Sequence, residues 1–305
     1  LLFAGPAPST NERELPDDGF VDAWGIPWRR RPSSHYYEIV ESPLRTADIE
    51  DLDGYAWPAL ADPARFAGLR SQALGIQASG CAVVAIAGVS PFEQCSMLRG
   101  MENWMLDLAA NPEFALALMR RVTDLQLAAA EGLLAEAGSA IDVLVTADDL
   151  GGQDSPLISP RMYRDLVKPF HAELISAMKR RTSAKIFFHS DGNVYPLLGD
   201  LLEVGVDILN PVQVSAAGMG DTARLKREYG DRLTFCGGID TQEVLPRGRP
   251  ADVRAEVRRR IADLAPGGGY ILSAVHCIQP DVPPENVCAL FEEALAAGSY
   301  PLAAF

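Results

Sequence analysis

His189 and Asp191 close the run Lys185-Ile-Phe-Phe-His189-Ser-Asp191-Gly-Asn193. A strand repeats every two residues, so imidazole and carboxylate project from the same face, where together they can hold a metal ion. Of the four histidines in the chain, a second one, His276, ends the apolar run 269–275. Two imidazoles and one carboxylate make an acceptable three-ligand catalytic set with an open position. Cys277 is the alternative ligand, although neighbours on a strand face opposite ways and both point inward only if the strand has ended. Cys236 is a weaker ligand candidate. Asp148 and Asp149 form a like-charge pair in which one carboxylate raises the pKa of the other and yields a general acid. The competing reading makes either one a cap on a loop turn through backbone N–H groups. His276, Asp148 and Asp149 are therefore the catalytic candidates, while Gln153, Asn210, Gln213 and Asp240, the polar residues at the remaining run ends, are the substrate-binding ones. His171 reads as a packed or solvated helix residue, and His35 as a loop residue.

Those positions share one property: each follows a short apolar run. Runs at 81–87, 141–146, 184–189, 206–210, 233–236 and 269–275 are expected strands, each leading into a helical segment. Asn111-Pro112-Glu113 opens a helix with Pro at its first position, and Leu118, Val122, Leu125, Ala129 and Leu133 keep helical spacing until Gly138. Ser159-Pro160 opens another, which Pro169 should kink. Gly205 and Gly230 sit where helices stop, and Pro283-Pro284-Glu285-Asn286 starts the last one, ending near Gly298. Strands alternating with helices predict an α/β fold, a (β/α)8 TIM barrel in one domain, 1–305. Regular units occupy 81–301, and residues 1–70 form an irregular N-terminal segment. The strand ends then converge on one mouth, where active sites collect. In the N-terminal segment, Asp22-Ala-Trp24-Gly-Ile-Pro-Trp28 and His35-Tyr36-Tyr37-Glu38-Ile39-Val40 read as extended arms flanking the basic turn Arg29-Arg30-Arg31, either a hairpin or a lid whose aromatic rings touch a flat ligand or partner. Gly218-Met-Gly220 lacks a tight turn from strand into helix and reads as a plain turn.

Composition is that of a folded protein, 48% hydrophobic and 22% charged. A net charge of −14, from 41 acidic against 27 basic residues, argues against nucleic acid as a partner. No apolar run is long enough to span a bilayer. Five cysteines without a C-x-x-C pair fit reduced thiols, hence an expected cytoplasmic location. The chain opens Leu1-Leu2-Phe3-Ala4-Gly5 without an initiator Met, as a trimmed form of a slightly longer chain would, and without the charged start of a signal peptide.

Cys236-Gly-Gly-Ile-Asp240, the segment His276-Cys-Ile-Gln-Pro-Asp-Val-Pro-Pro-Glu-Asn286, Asp148-Asp149-Leu-Gly and His189-Ser-Asp-Gly192 together resemble the uroporphyrinogen decarboxylase superfamily, most closely its corrinoid-dependent methyltransferase and O-demethylase members. That resemblance implies a TIM barrel and, in the methyltransferase branch, a zinc ion held by an H-x-C pair and a further Cys near the last strand. Here the pair reads His189-Ser-Asp191, and the last Cys position falls on His276 beside Cys277. A carboxylate in place of a thiolate makes such a site harder and more Lewis acidic, suited to an ether oxygen rather than a thiol. In the decarboxylase branch, His276 matches the histidine of a Gly-His-Gly-Ile segment, but the arginine-rich R-Q-A-G-R opening is absent.

The expectation is a methyltransferase moving a methyl group between a small methylated substrate and a corrinoid (cobalamin-type) cofactor carried on a separate protein, with zinc at His189, Asp191 and His276. A lower-ligand D-x-H-x-x-G motif is missing, which is why the corrinoid is placed on a partner; the aromatic N-terminal arms are its candidate docking surface. Two alternatives stay open: a metal-free decarboxylase using His276 and the Asp pair as proton donors on a small carboxylated substrate, and a barrel that binds ligand without turnover. The chain is compatible with a homodimer.

Overall fold

The computed structural model describes residues 2–8, 12–32, 34, 36–89 and 91–302; His35 lies outside them. The chain divides into two compact units, Leu1–Asp148 with Arg161–Ile186, and Asp149–Pro160 with Phe187–Phe305.

The first unit opens with β1 (Leu2–Ala4) and continues into four short antiparallel strands, β2 (Arg13–Leu15), β3 (Gly19–Val21), β4 (Pro27–Arg30) and β5 (Tyr37–Ile39), paired in chain order. Arg29 and Arg30, expected in a turn, belong to β4, where Arg30 meets Asp18 at 2.6 Å. Trp24 and Ile26 are buried beneath a corner that Asp22 ties together: its carboxylate accepts from the N–H groups of Trp24 and Ile26, both at 2.9 Å, and from the Trp28 indole. β6 (Val83–Val89) and β7 (Val143–Ala147) extend β1 in parallel, in the order β1-β6-β7. Between them runs the helix Pro112–Ala137, beginning after Asn111 and closing at Gly138 as its punctuation predicts. Leu118, Val122 and Leu133 are buried on its inner face, each worth about 1.5–3 kcal/mol when fully removed from water. The helix begun by Pro160 contains a π-helical turn, Tyr163–Val167, before continuing as Lys168–Lys179. Pro169 has no N–H and its ring crowds the carbonyl four residues back, so the expected kink takes the form of a widened turn: the Lys168 N–H reaches the Tyr163 carbonyl five residues earlier.

In the second unit the end of β8 (Lys185–His189) pairs in parallel with β9 (Ile208–Val212), which pairs with β10 (Thr234–Ile239) and that with β11 (Tyr270–Ala274). Helices Leu198–Val204, Thr222–Tyr229, Pro250–Leu264 and Pro284–Ala297 follow the four strands in turn. Gly205 stops the first of these at φ 103°, a left-handed conformation that costs a glycine little. Ile239 of β10 packs with Val253, Val257 and Ile261 of one helix and Ala289 and Leu290 of the next.

The described residues thus contain three parallel strands in one unit and four in the other, each of the six longer ones lying within about two residues of an expected run at its start. The α/β assignment stands; an eighth parallel strand and closure of a barrel are not among the described elements. No helix of the described residues is long and apolar enough to cross a membrane.

Candidate functional site

Alternation in β8 buries Ile186 and Phe188 and turns Phe187 and His189 to the other face, where both are half-buried. His189 stands in register with Asn210 of β9, so their side chains are cross-strand neighbours. His189 Nδ1 lies 2.7 Å from Asn210 Oδ1. The Asn210 side chain also hydrogen-bonds the Cys236 thiol of β10, whose sulfur is 3.6 Å from Ser273 Oγ of β11. A polar row therefore crosses four adjacent strands. With the amide oxygen as acceptor, this contact calls for the His189 tautomer that carries its proton on Nδ1, which leaves Nε2 as the coordinating nitrogen.

Nε2 faces Asp191. Asp191 Oδ2 is 3.8 Å from His189 Nε2 and 3.8 Å from His276 Nε2. The two rings are tilted by 51° with centroids 6.5 Å apart. Asp149 joins from the loop ahead of β8: ligand atoms of Asp149, His189 and Asp191 all lie within 4.8 Å of one another. Asp149 Oδ1 is oriented by the Asp191 N–H at 2.8 Å. Donors at about 2.0–2.1 Å from a tetrahedral ion stand roughly 3.3–3.4 Å apart, so the 3.8 Å separations are one small side-chain adjustment from coordination. Asp191 Oδ1 is buried with no hydrogen-bond partner. Such an orphaned oxygen costs about 1–3 kcal/mol or more for a charged group, which a cation would recover; the donor set fits a divalent ion. Burial raises the Asp191 carboxyl above the ordinary carboxylate range, as does Asp149, against the pull of the two histidines.

Main-chain contact sets the spacing of these parts. A Cβ on Gly151 would lie 2.4 Å from the Asp191 carbonyl oxygen, and one on Gly192 would lie 2.5 Å from the Gly151 carbonyl. Gly192 also has φ +82°. Both positions need glycine, because loop 149–153 and turn 190–193 touch backbone to backbone. Gln213 is buried, accepts from the Gly192 N–H at 2.7 Å and donates to Gln153 at 3.3 Å. The sequence-expected binders Asn210, Gln213 and Gln153 thus brace the cluster.

Two other expected residues are engaged by backbone groups. Asp240 accepts from the N–H groups of Gln242, Glu243 and Val244 and so caps the turn after β10. Asp148, in the first unit, is fully buried and accepts from the backbone N–H groups of Phe92 and Glu93, at 3.1 and 2.5 Å, and meets His171 Nε2 at 2.7 Å. Asp148 therefore holds the N–H groups at the start of the helix Pro91–Arg99, rather than a turn of its own loop. His171 is itself fully buried, with Nδ1 3.1 Å from the Tyr163 hydroxyl. The sequence hinted at that partnership only in the two-turn spacing of Tyr163 and His171. Cys277 is exposed, whereas Cys236 is buried, its thiol pushed up by burial.

Parallel strands that each lead into a helix, with titratable side chains gathered where strands end, describe an α/β protein of TIM-barrel-like type. The family model of uroporphyrinogen decarboxylase (URO-D) matches residues 40–296, and the chain belongs to that family. It is 24% identical over 282 residues to uroporphyrinogen decarboxylase of Coxiella burnetii, covering 89% of this chain and 72% of that protein. It is 25% identical over 173 residues to the enzyme of the same name from Thioalkalivibrio sulfidiphilus, covering 54% of this chain and 45% of that one. Among solved structures, a methyltransferase from Methanosarcina mazei superposes with a TM-score of 0.69 at 20% identity, covering 91% of this chain and 77% of that chain; at that identity the likeness is one of fold.

Proposed function

We propose that this protein is a methyltransferase that moves a methyl group between a small methylated substrate and a corrinoid held by a separate protein. The observation that carries the reading is the cluster of Asp149, His189 and Asp191 with His276 beside it, and the orphaned Asp191 oxygen at its centre. The fold shared with the Methanosarcina mazei methyltransferase is compatible with it. Asp149, His189 and Asp191 would hold a divalent ion, zinc being the expected one, with His276 the further donor. Bound there, the ion would act as a Lewis acid toward the heteroatom that carries the methyl group. Two carboxylates and neutral imidazoles form a harder donor set than thiolates, suiting an ether or alcohol oxygen.

The chain's own residues do the rest. Asn210 fixes the His189 tautomer, and the Asp191 N–H aims Asp149. His276, whose side chain is 36% exposed, completes the donor set on the side open to a substrate. The test is metal content by mass spectrometry on untagged protein, followed by methyl transfer from methylated ethers to a reduced corrinoid. About one zinc per chain, lost in His189→Ala, is expected; wild-type protein that takes up no metal from excess would overturn the reading.

A metal-free carboxy-lyase is the second reading. It draws on the decarboxylase relatives and on the burial of Asp191, which raises its carboxyl and favours the protonated, donating form. It predicts CO2 release from a small carboxylated substrate with neither metal nor corrinoid.

A further inference from the structure

The first unit contains a cavity of about 400 Å³, in the size range of small-molecule sites. Its walls come from the ends of β1 and β6, the Trp24 corner, Phe66, and the inner face of the Pro112–Ala137 helix. Leu60, Leu133, Phe66 and Trp24 make it largely apolar and are themselves buried. Among the described residues, no carboxylate lines it. Arg65, at its edge, commits Nε to the Ala7 carbonyl at 3.0 Å and Nη1 to the Leu60 carbonyl at 2.9 Å.

One lining group is out of place in such a wall. Gln94 is 3% exposed, and its Nε2 is buried without a hydrogen-bond partner. A buried amide with a missing partner costs about 1–3 kcal/mol, and a leucine would fill the same volume without that cost. The residue is explained if a ligand supplies the acceptor. Gly88 strengthens the case for built space: a Cβ there would lie 2.2 Å from Gln126 Oε1, another lining side chain, and φ is +118°. The strand is bare at that point, and a second buried amide occupies the place a side chain would take.

We propose that this cavity is a binding site for a small, uncharged, mainly apolar molecule carrying one acceptor oxygen, a ketone or an ether, which receives a hydrogen bond from Gln94 Nε2. An apolar body fills the space under Trp24 and Phe66, and the single donor sets its orientation. An uncharged ligand is favoured by a largely apolar wall that, among the described residues, holds no carboxylate and whose one guanidinium turns Nε and Nη1 to main-chain carbonyls. The inference stands on different residues from the metal cluster and does not depend on it.

Acetophenone and ethylbenzene serve as probes, nearly the same in shape and differing in the acceptor. Each is titrated into the full chain by calorimetry, for wild type, for Gln94→Leu and for Ala129→Phe, which fills the cavity from the helix side. Wild type should bind acetophenone roughly tenfold more tightly than ethylbenzene, allowing for the ketone's greater cost of leaving water. Gln94→Leu should erase or reverse that preference while still binding ethylbenzene, and Ala129→Phe should bind neither. Circular dichroism and thermal melting confirm that each variant is folded; should Ala129→Phe not fold, Ala129→Leu takes its place. The proposal is overturned if wild type binds neither probe up to its solubility limit, if the preference for the ketone survives Gln94→Leu, or if a crystal soaked with acetophenone shows only a water on Gln94 Nε2.

Discussion

Replacing Asn210 with Ala removes no ligand atom and yet should weaken metal binding. Asn210 Oδ1, 2.7 Å from His189 Nδ1, keeps the ring proton on the side away from Asp191 and holds the ring plane. Without it, the proton is free to move to Nε2, the ring is free to rotate about its χ2 bond, and both must be reversed before Nε2 can donate. Outer partners of metal-bound histidines are typically worth 10- to 100-fold in affinity, so the dissociation constant for zinc should rise by that factor, about 1.4–2.7 kcal/mol. Asn210→Asp supplies an acceptor in the same place and should keep wild-type affinity or improve on it, whereas Asn210→Leu should match the Ala variant. Competition against a fluorescent chelator measures the affinities, and nitrogen-15 shifts of the His189 ring report the tautomer. Unchanged affinity in Asn210→Ala, alongside loss in His189→Ala, would refute the positioning argument. So would a wild-type ring protonated on Nε2 in the metal-free protein.

Gly192→Ala should combine a φ of +82° with a Cβ 2.5 Å from the Gly151 carbonyl; a loss of at least about 1–2 kcal/mol in urea denaturation is expected from the dihedral alone, together with weaker metal uptake. His171→Leu removes the side-chain hydrogen-bond partner of the fully buried Asp148 and should destabilise by about 1–3 kcal/mol, on the scale for leaving a buried polar group unsatisfied. Asp148→Asn in the same background should recover some of that loss, read by the same denaturation curves. Burial, with Asp22 nearby, pushes the Tyr55 hydroxyl up to about 12. Because this folded value lies above the unfolded value of about 10, its contribution is whole below pH about 10 and disappears as pH rises through 12. Tyr55→Phe should therefore flatten the alkaline fall in melting temperature between those limits.

Where chain punctuation is local, the sequence is legible. Asn111-Pro112 and Gly138 bound a helix because each acts through its own backbone, and the expected strands reappear because apolar runs of that length have few other places to go. β2 to β5 were legible only as extended arms. Strands of three or four residues carry too little pattern, and Arg30 enters one by pairing with Asp18 across the sheet. Within the site, the shared face of His189 and Asp191 follows from the strand period. Asp149 does not, since its place is set by the contact of two glycines separated by forty-odd residues of chain. The fates of Asp148 and Asp149, neighbours in sequence, diverge for the same reason: each takes the partners its loop geometry offers, and those partners come from distant segments.

The Gly151 and Gly192 contact separates where the donor atoms sit from what they are. Loop and turn are registered by carbonyl and amide groups that every residue type shares, so the side chain at position 191 can change from one element to another without shifting its neighbours. A scaffold of this kind can exchange the chemistry at its centre in single steps. Any metal preference of such a centre, and with it the bond that metal would activate, would then be a property of one or two side chains rather than of the fold that carries them.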